Sequence, residues 1–257
     1  MIELKTPGER AAMRRAGQVV ARVLAAVRDR AEPGVRPREL DDLAAEVIRE
    51  AGGTSSFLGY QPGWAPVPYP AVICASVNDA VVHGPPTCAR LRAGDLLSVD
   101  CAVELDGWHG DAAVSFVVGP PSIAAADDLQ LIAATERALA AGVAAAVAGA
   151  WIGDVSHAIG TVARASGYGQ PADLGGHGIG RRMHEPPHLA NDGRPGRGLT
   201  LRPGLVLAVE PMLLRGGPGT RTGPDGWTVL TAGGGRAAHA EHTVAITEDG
   251  PELLTVP

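Results

Sequence analysis

The feature that most constrains this chain is a pattern written twice. LRAGDLLSVD (91–100) can be laid over LRPGLVLAVE (201–210) without a gap. Each copy reads Leu-Arg-x-Gly, then an apolar run with strand character, then a carboxylate. A second pair stands upstream in the same order. GVRPRELDDLAAEVIREAG (34–52) resembles GAWIGDVSHAIGTVARASG (149–167) at a constant offset, sharing a glycine, an acidic residue and a helical apolar stripe. Two echoes in one order read as a duplicated α/β unit, with halves at roughly 1–120 and 121–257 of a single domain. Asp100 and Glu210 then occupy equivalent places, and a pseudo-twofold packing of the halves brings them together in the middle.

The flanking elements follow from local chemistry. Thr6-Pro7-Gly8-Glu9 has the form of a capping box with proline at the first helical position. Met13, Ala16, Val20, Val23 and Val27 continue at helical spacing, so a helix is expected to end near Pro33-Gly34, with a second from Pro37 to Ala51. Residues 53–70, rich in Gly, Pro and aromatics, read as a loop. Strands are expected at 71–77, 95–105, 111–118, 205–210, 227–231 and 240–247, and helices at 124–141 and 153–166. Asp106-Gly107 is a hairpin signal. It pairs residue 100 with 113 and 102 with 111, making Asp100 and Asp111 diagonal neighbours on one face.

Four acids thus sit on apolar strands: Asp100, Asp111, Glu210 and Glu241. A bare buried charge is costly, and acids that converge repel one another and take up protons. Arginine is one remedy, but none lies in these strands. Two divalent cations are another, bridged by carboxylates at about 3.5–4 Å. The plainer reading leaves Asp100 and Asp111 as solvated acids beside a turn. The stretch GHGIGRRMHEPPH (176–188) adds three of the eight histidines. Glycines flank His177, so the backbone there approaches a neighbour closely or adopts dihedrals other residues avoid, and its imidazole is free to act as a neutral ligand. Oxygen donors with one imidazole suit Mn, Fe, Co or Zn better than Ca or Mg. His83 and His184 stand beside turns and are placed to donate to a substrate carbonyl or oxyanion; taken singly, each reads equally well as a surface or packing histidine. His188, His109, His157, His239 and His242 have weaker claims.

Net charge is -6, with only 22 Lys and Arg and no basic cluster to track a phosphate backbone, which argues against a nucleic-acid substrate. MIELKTPGER has no apolar run of a signal peptide, and no stretch is apolar enough to span a membrane, so a cytoplasmic location is expected. Cys74, Cys88 and Cys101 match neither a disulfide framework nor a structural zinc motif.

The ordered set VVHG (81–84), LLSVD (96–100), GWHGD (107–111), GHGIG (176–180), HEPP (184–187), VEPM (209–212), GWT (226–228) and EHT (241–243) resembles the type I bacterial methionine aminopeptidases. The resemblance covers essentially the whole chain. It implies the α/β pita-bread fold shared with aminopeptidase P, prolidase and creatinase: two pseudo-twofold-related halves around a curved antiparallel sheet flanked by helices. It implies a dinuclear metal centre (Co, Mn, Fe or Zn) with Asp100, Asp111, His177, Glu210 and Glu241 as ligands, Asp111 and Glu241 bridging. It implies that His83 contacts the substrate near its amide, that His184 hydrogen-bonds the scissile carbonyl, that Glu210 is also the acid/base, and that Tyr69, Cys74 and Trp227 line the methionine pocket. It implies a monomer acting on the N-terminal methionine of nascent polypeptides with a small second residue, with at most transient ribosome association.

This sequence departs from the family pattern in places. QPGWAPVP (61–68) looks like an insertion between Tyr60 and Tyr69; Phe57 and Met183 stand where cysteine and phenylalanine are common; and the usual Ala-Gln-Phe-Glu-His-Thr is Ala-His-Ala-Glu-His-Thr (238–243). The competing readings are an X-Pro aminopeptidase, which normally carries an extra N-terminal domain, a metal-free creatinase-like hydrolase, and a non-catalytic binding protein on the same fold.

Overall fold

The computed structural model describes residues 2–257. The chain runs α1 (Pro7–Arg30), α2 (Pro37–Glu50), β1 (Thr54–Ser55), β2 (Cys74–Val77), β3 (Ala80–Val82), β4 (Leu96–Leu105) and β5 (Trp108–Val117). It continues with α3 (Ala126–Ala145), α4 (Ile152–Ser166), β6 (Gly175–Gly178), β7 (Glu185–Ala190), β8 (Val206–Val209) and β9 (Met212–Leu214). The last elements are β10 (Thr220–Thr222), β11 (Val229–Thr231), β12 (Ala237–His239), β13 (Glu241–Thr247) and β14 (Gly250–Leu253).

The central sheet has the order β1-β4-β5-β13-β8-β6-β7, with β2 also on β4 and β14 also on β13. Its pairings are antiparallel. Strands β4 and β5 come from the first 120 residues, β13 and β8 from the rest. They meet at a short seam, Glu241 opposite Ala113 and His242 opposite Ala112. On the first side, α1 packs over β4 and β5 and closes a core running from Val19 to Val118. On the other, α3 and α4 pack together against a separate core running from Ala138 to Ile246.

The two sequence echoes fold alike, hydrogen bond for hydrogen bond. Gly94 and Gly204 take φ of 86° and 94° in the turns before β4 and β8. Asp95 N donates to Arg92 O and Leu205 N to Arg202 O, both at 3.1 Å. Gly34 N bonds Leu91 O just as Gly149 N bonds Leu201 O. Backbone N–H groups of Arg36 and Trp151 each donate to an acid three residues on, Glu39 and Asp154. Gly52 and Gly167 follow α2 and α4 at φ 73° and 74°, the left-handed geometry that ends helices.

Local expectations hold at the cap and the hairpin. Thr6 and Glu9 form the capping box. Asp106 and Gly107 both take positive φ, 54° and 77°, as a type I′ turn requires, and residue 100 pairs with 113 and 102 with 111. Other bounds differ, each for a physical reason. The first helix stops at Arg30, since residues before Pro33 are pushed out of the helical region. The strand expected from 71 begins at Cys74 because the Val72 and Ile73 N–H groups donate to buried Asp41 at 2.8 and 3.2 Å. The return strand begins at Trp108 rather than 111, because the tight turn pairs it at once with Leu105. Helix α3 runs on to Ala145 because Gly142 fits against Ile159, where a Cβ would come within 2.7 Å. Strand β1 lies in the expected loop, and β3, β6, β7, β9, β10, β12 and β14 are strands the periodicity did not signal.

Candidate metal centre

Five neighbouring strands each deliver one donor to the same face. Asp100 is on β4, Asp111 on β5, Glu241 on β13, Glu210 directly after β8, and His177 on β6. Pairing places Cys74, Asp100, Ala113 and Glu241 in one row across the sheet. The Thr243 hydroxyl clamps β5 to β13: it accepts from Asp111 N at 2.9 Å and donates to Asp111 O at 2.8 Å. Asn191 Nδ2 donates to the Glu210 carbonyl at 3.0 Å.

The glycines around His177 serve close approach, not unusual dihedrals. A Cβ on Gly176 would stand 2.1 Å from Ala208 O, and one on Gly178 2.4 Å from Pro186 O. His177 Nδ1–H donates to the Gly178 carbonyl at 2.9 Å. That bond leaves Nε2 unprotonated, facing Glu210 Oε1 at 3.4 Å.

The acids converge without a compensating cation from the protein. Asp100, Asp111 and Glu241 are buried, and Glu210 is nearly so. Among the described residues no lysine or arginine nitrogen stands within 4.0 Å of them; their ion-pair partners are His177 and His239. Asp100 Oδ1, Asp111 Oδ1 and Glu241 Oε1 are buried without a hydrogen-bond partner. Burial first, and then mutual repulsion, pushes Asp111, Glu210 and Glu241 well above the ordinary carboxylate range, and burial likewise raises Asp100. Burial, then His184, holds His177 down to about 3, so it is a neutral donor. Asp111, His177 and Glu241 each offer a ligand atom within 4.8 Å of the others, as do Asp100, His239 and Glu241. Unpartnered oxygens, a neutral imidazole and no local cation are the donor set of a divalent-metal site.

Above this floor lies a cavity of about 510 Å³. His83 borders it at φ 59°, a strained conformation for a residue with a side chain. Its Nδ1 is buried and unpartnered, and burial lowers its pKa to about 4. His184 rests against His177, ring centroids 4.2 Å apart, and its Nδ1 is 2.9 Å from the Tyr60 hydroxyl. Tyr69, Cys74 and Trp227 share an apolar cluster with Phe57 and Met183, so two of the family departures fall in this wall together. The Tyr69 hydroxyl sits 3.1 Å from the carbonyls of Ile73 and Gly84. The segment 61–68 forms the rim. Trp227 Nε1 donates to Val67 O at 3.0 Å, and exposed Trp64 packs edge-on to Trp227 at 5.0 Å and stacks near His83 at 6.1 Å.

All ten residues singled out by the sequence therefore border one site. The sequence reading missed Tyr60 as the partner of His184, Trp64 as the rim, Thr243 as the clamp, and the central place of His239, which was ranked among the weaker histidines. Only His239 carried a signal, its position two residues before Glu241, with His239 ending β12 and Glu241 beginning β13.

The sequence model of metallopeptidase family M24 matches residues 11–248. Methionine aminopeptidase 1 of Mycobacterium tuberculosis is 52% identical, over 100% of this chain and 96% of its own length. The crystal structure of methionine aminopeptidase from Thermotoga maritima superposes with a TM-score of 0.94 at 38% identity, covering 100% of both chains. Prolidase from Pyrococcus furiosus shares the fold at a TM-score of 0.75 and 21% identity, over 99% of this chain and 65% of its own. Seen with the acid floor and the aromatic pocket, these likenesses show that the chain belongs to metallopeptidase family M24, among its methionine aminopeptidases.

Proposed function

We propose that this chain removes the N-terminal methionine of polypeptides with a small second residue. Asp100, Asp111, His177, Glu210 and Glu241 would hold two divalent cations (Co, Mn, Fe or Zn). Bound cations supply Lewis acidity toward a water and a carbonyl. The chain's own groups do the rest. Glu210, at the cavity floor, takes a proton from the attacking water and passes it to the leaving amine. With Tyr60 donating to His184 Nδ1, the imidazole proton lies on Nε2 and is donated to the developing oxyanion. His83 contacts the substrate near its amide. The pocket of Tyr69, Cys74, Trp227, Phe57 and Met183 takes the flexible thioether, which suits an apolar, partly sulfur-lined wall.

The observation that carries this reading is the set of five donors on adjacent strands with no lysine or arginine among them. We read residues 1–257 as one catalytic domain built from two related halves, acting as a cytoplasmic monomer on nascent chains, with at most transient contact with the ribosome. The test is release of free methionine from Met-Ala-Ser, against Gly-Pro peptides, with and without Mn, Co or Fe. Metal-dependent methionine release is expected; no release with any metal, or cleavage only of the Gly-Pro peptides, refutes the reading. Glu210→Gln is expected to lower kcat by on the order of 10²–10⁴-fold.

A further inference from the structure

His239 stands two residues before Glu241, at the last position of β12. Its backbone is pinned on both sides: N–H donates to Ser115 Oγ at 2.9 Å, and the same hydroxyl donates to His239 O at 2.8 Å. The residue is 1% exposed, yet Nε2 has no hydrogen-bond partner. That atom lies 3.9 Å from Glu210 Oε2 and 3.8 Å from Glu241 Oε2. These distances are too long for hydrogen bonds. They suit a shared ion, because donors each about 2.0–2.2 Å from one metal stand no more than about 4.4 Å apart. Asp100 completes the group, its Oδ1 also unpartnered, and Asp100, His239 and Glu241 offer ligand atoms within 4.8 Å of one another.

We propose that His239 is a sixth protein ligand of the metal centre, binding through Nε2 the cation held by Asp100 and Glu241. Each of the two cations then has one imidazole, His177 on one side and His239 on the other, with Glu241 common to both. The family pattern places glutamine at this position. Replacing an amide by an imidazole turns an all-oxygen position toward Co, Zn or Fe and away from Mn and Mg.

The proposal rests on the metallopeptidase reading above, and the test separates the two. The full-length chain, freed of metal by a chelator, is titrated with Co(II) and followed by calorimetry and visible absorption. Wild type is expected to bind two equivalents. His239→Gln is expected to weaken one of the two steps by on the order of 10–100-fold and to change the Co(II) absorption of that step alone. Two steps with unchanged affinity and spectrum in a folded variant overturn the proposal and leave the enzyme reading intact. A wild type that binds no Co(II) overturns both. A second measurement needs no variant. Proton NMR of the Co(II)-loaded wild type is expected to show two strongly shifted, solvent-exchangeable imidazole N–H signals, and a single one overturns the assignment.

Discussion

Two side chains act by holding others. Tyr60 holds His184 by the 2.9 Å contact to Nδ1. Tyr60→Phe is therefore expected to lower kcat by about two- to tenfold, with KM changed little, since a hydrogen bond between neutral groups contributes about 0.5–1.5 kcal/mol; steady-state kinetics on Met-Ala-Ser checks it. Lys5 Nζ meets Glu185 at 2.7 Å with both side chains almost fully buried. Burial alone would raise the Glu185 pKa, but the Lys5 ammonium and the Arg182 N–H outweigh it and hold it below the ordinary value. Lys5→Met is expected to cost about 3 kcal/mol at neutral pH by leaving that acid unpaired. Because the folded pKa is depressed, the pair's contribution is full above the unfolded pKa and fades as pH falls through the folded one. Urea melts of both proteins at pH 7 and in acid should show the gap closing. The Asp100–Asp111 juxtaposition was legible, because a two-residue turn fixes register by counting. The Tyr60–His184 and Lys5–Glu185 pairs were not: 124 and 180 residues separate the partners, and no local pattern spans such distances.

At the scale of elements, helices were readable and short strands were not. The long helices carry a 3.6-residue stripe over several turns, which local sequence states redundantly. β6 carries three glycines in four residues, a composition depleted in strands, so nothing marks it as one until its neighbours are known. Those neighbours explain the glycines. Gly176→Ala would push a Cβ to 2.1 Å from the Ala208 carbonyl, a backbone atom of β8 that cannot yield alone. The expected outcome is separation of β6 from β8, displacement of His177, a lower Tm and weaker Co(II) binding. Calorimetric titration beside a thermal melt would show both losses together. The same logic explains β12, whose three residues are ordered by pairing with β9 and by Ser115 rather than by any pattern of their own.

At the scale of the molecule, the duplicated pattern anticipated that acids from both halves would meet. It did not supply the seam, which in the central sheet is two residue pairs between β5 and β13 and outside it is the pairing of β3 with β11. Each half has an apolar core of its own, a further cluster of Met13, Trp108, Val206 and Ala245 bridges them, and unpaired carboxylates crowd the line where they join. Cations bound there favour the closed arrangement over the unfolded chain by mass action. A metal at 100 times its Kd adds about 2.7 kcal/mol, or about 5–10 °C in Tm for a chain of this size. Chelation is expected to lower Tm by that amount and readdition to restore it, as scanning calorimetry can show. The rim has a different consequence. Trp64 and its loop lean on Trp227 while the donors stand on the sheet beneath. On the proposed reading, Trp64 at the rim meets the departing side chain and touches none of the five donors, so the doorway can be recut without disturbing the hearth.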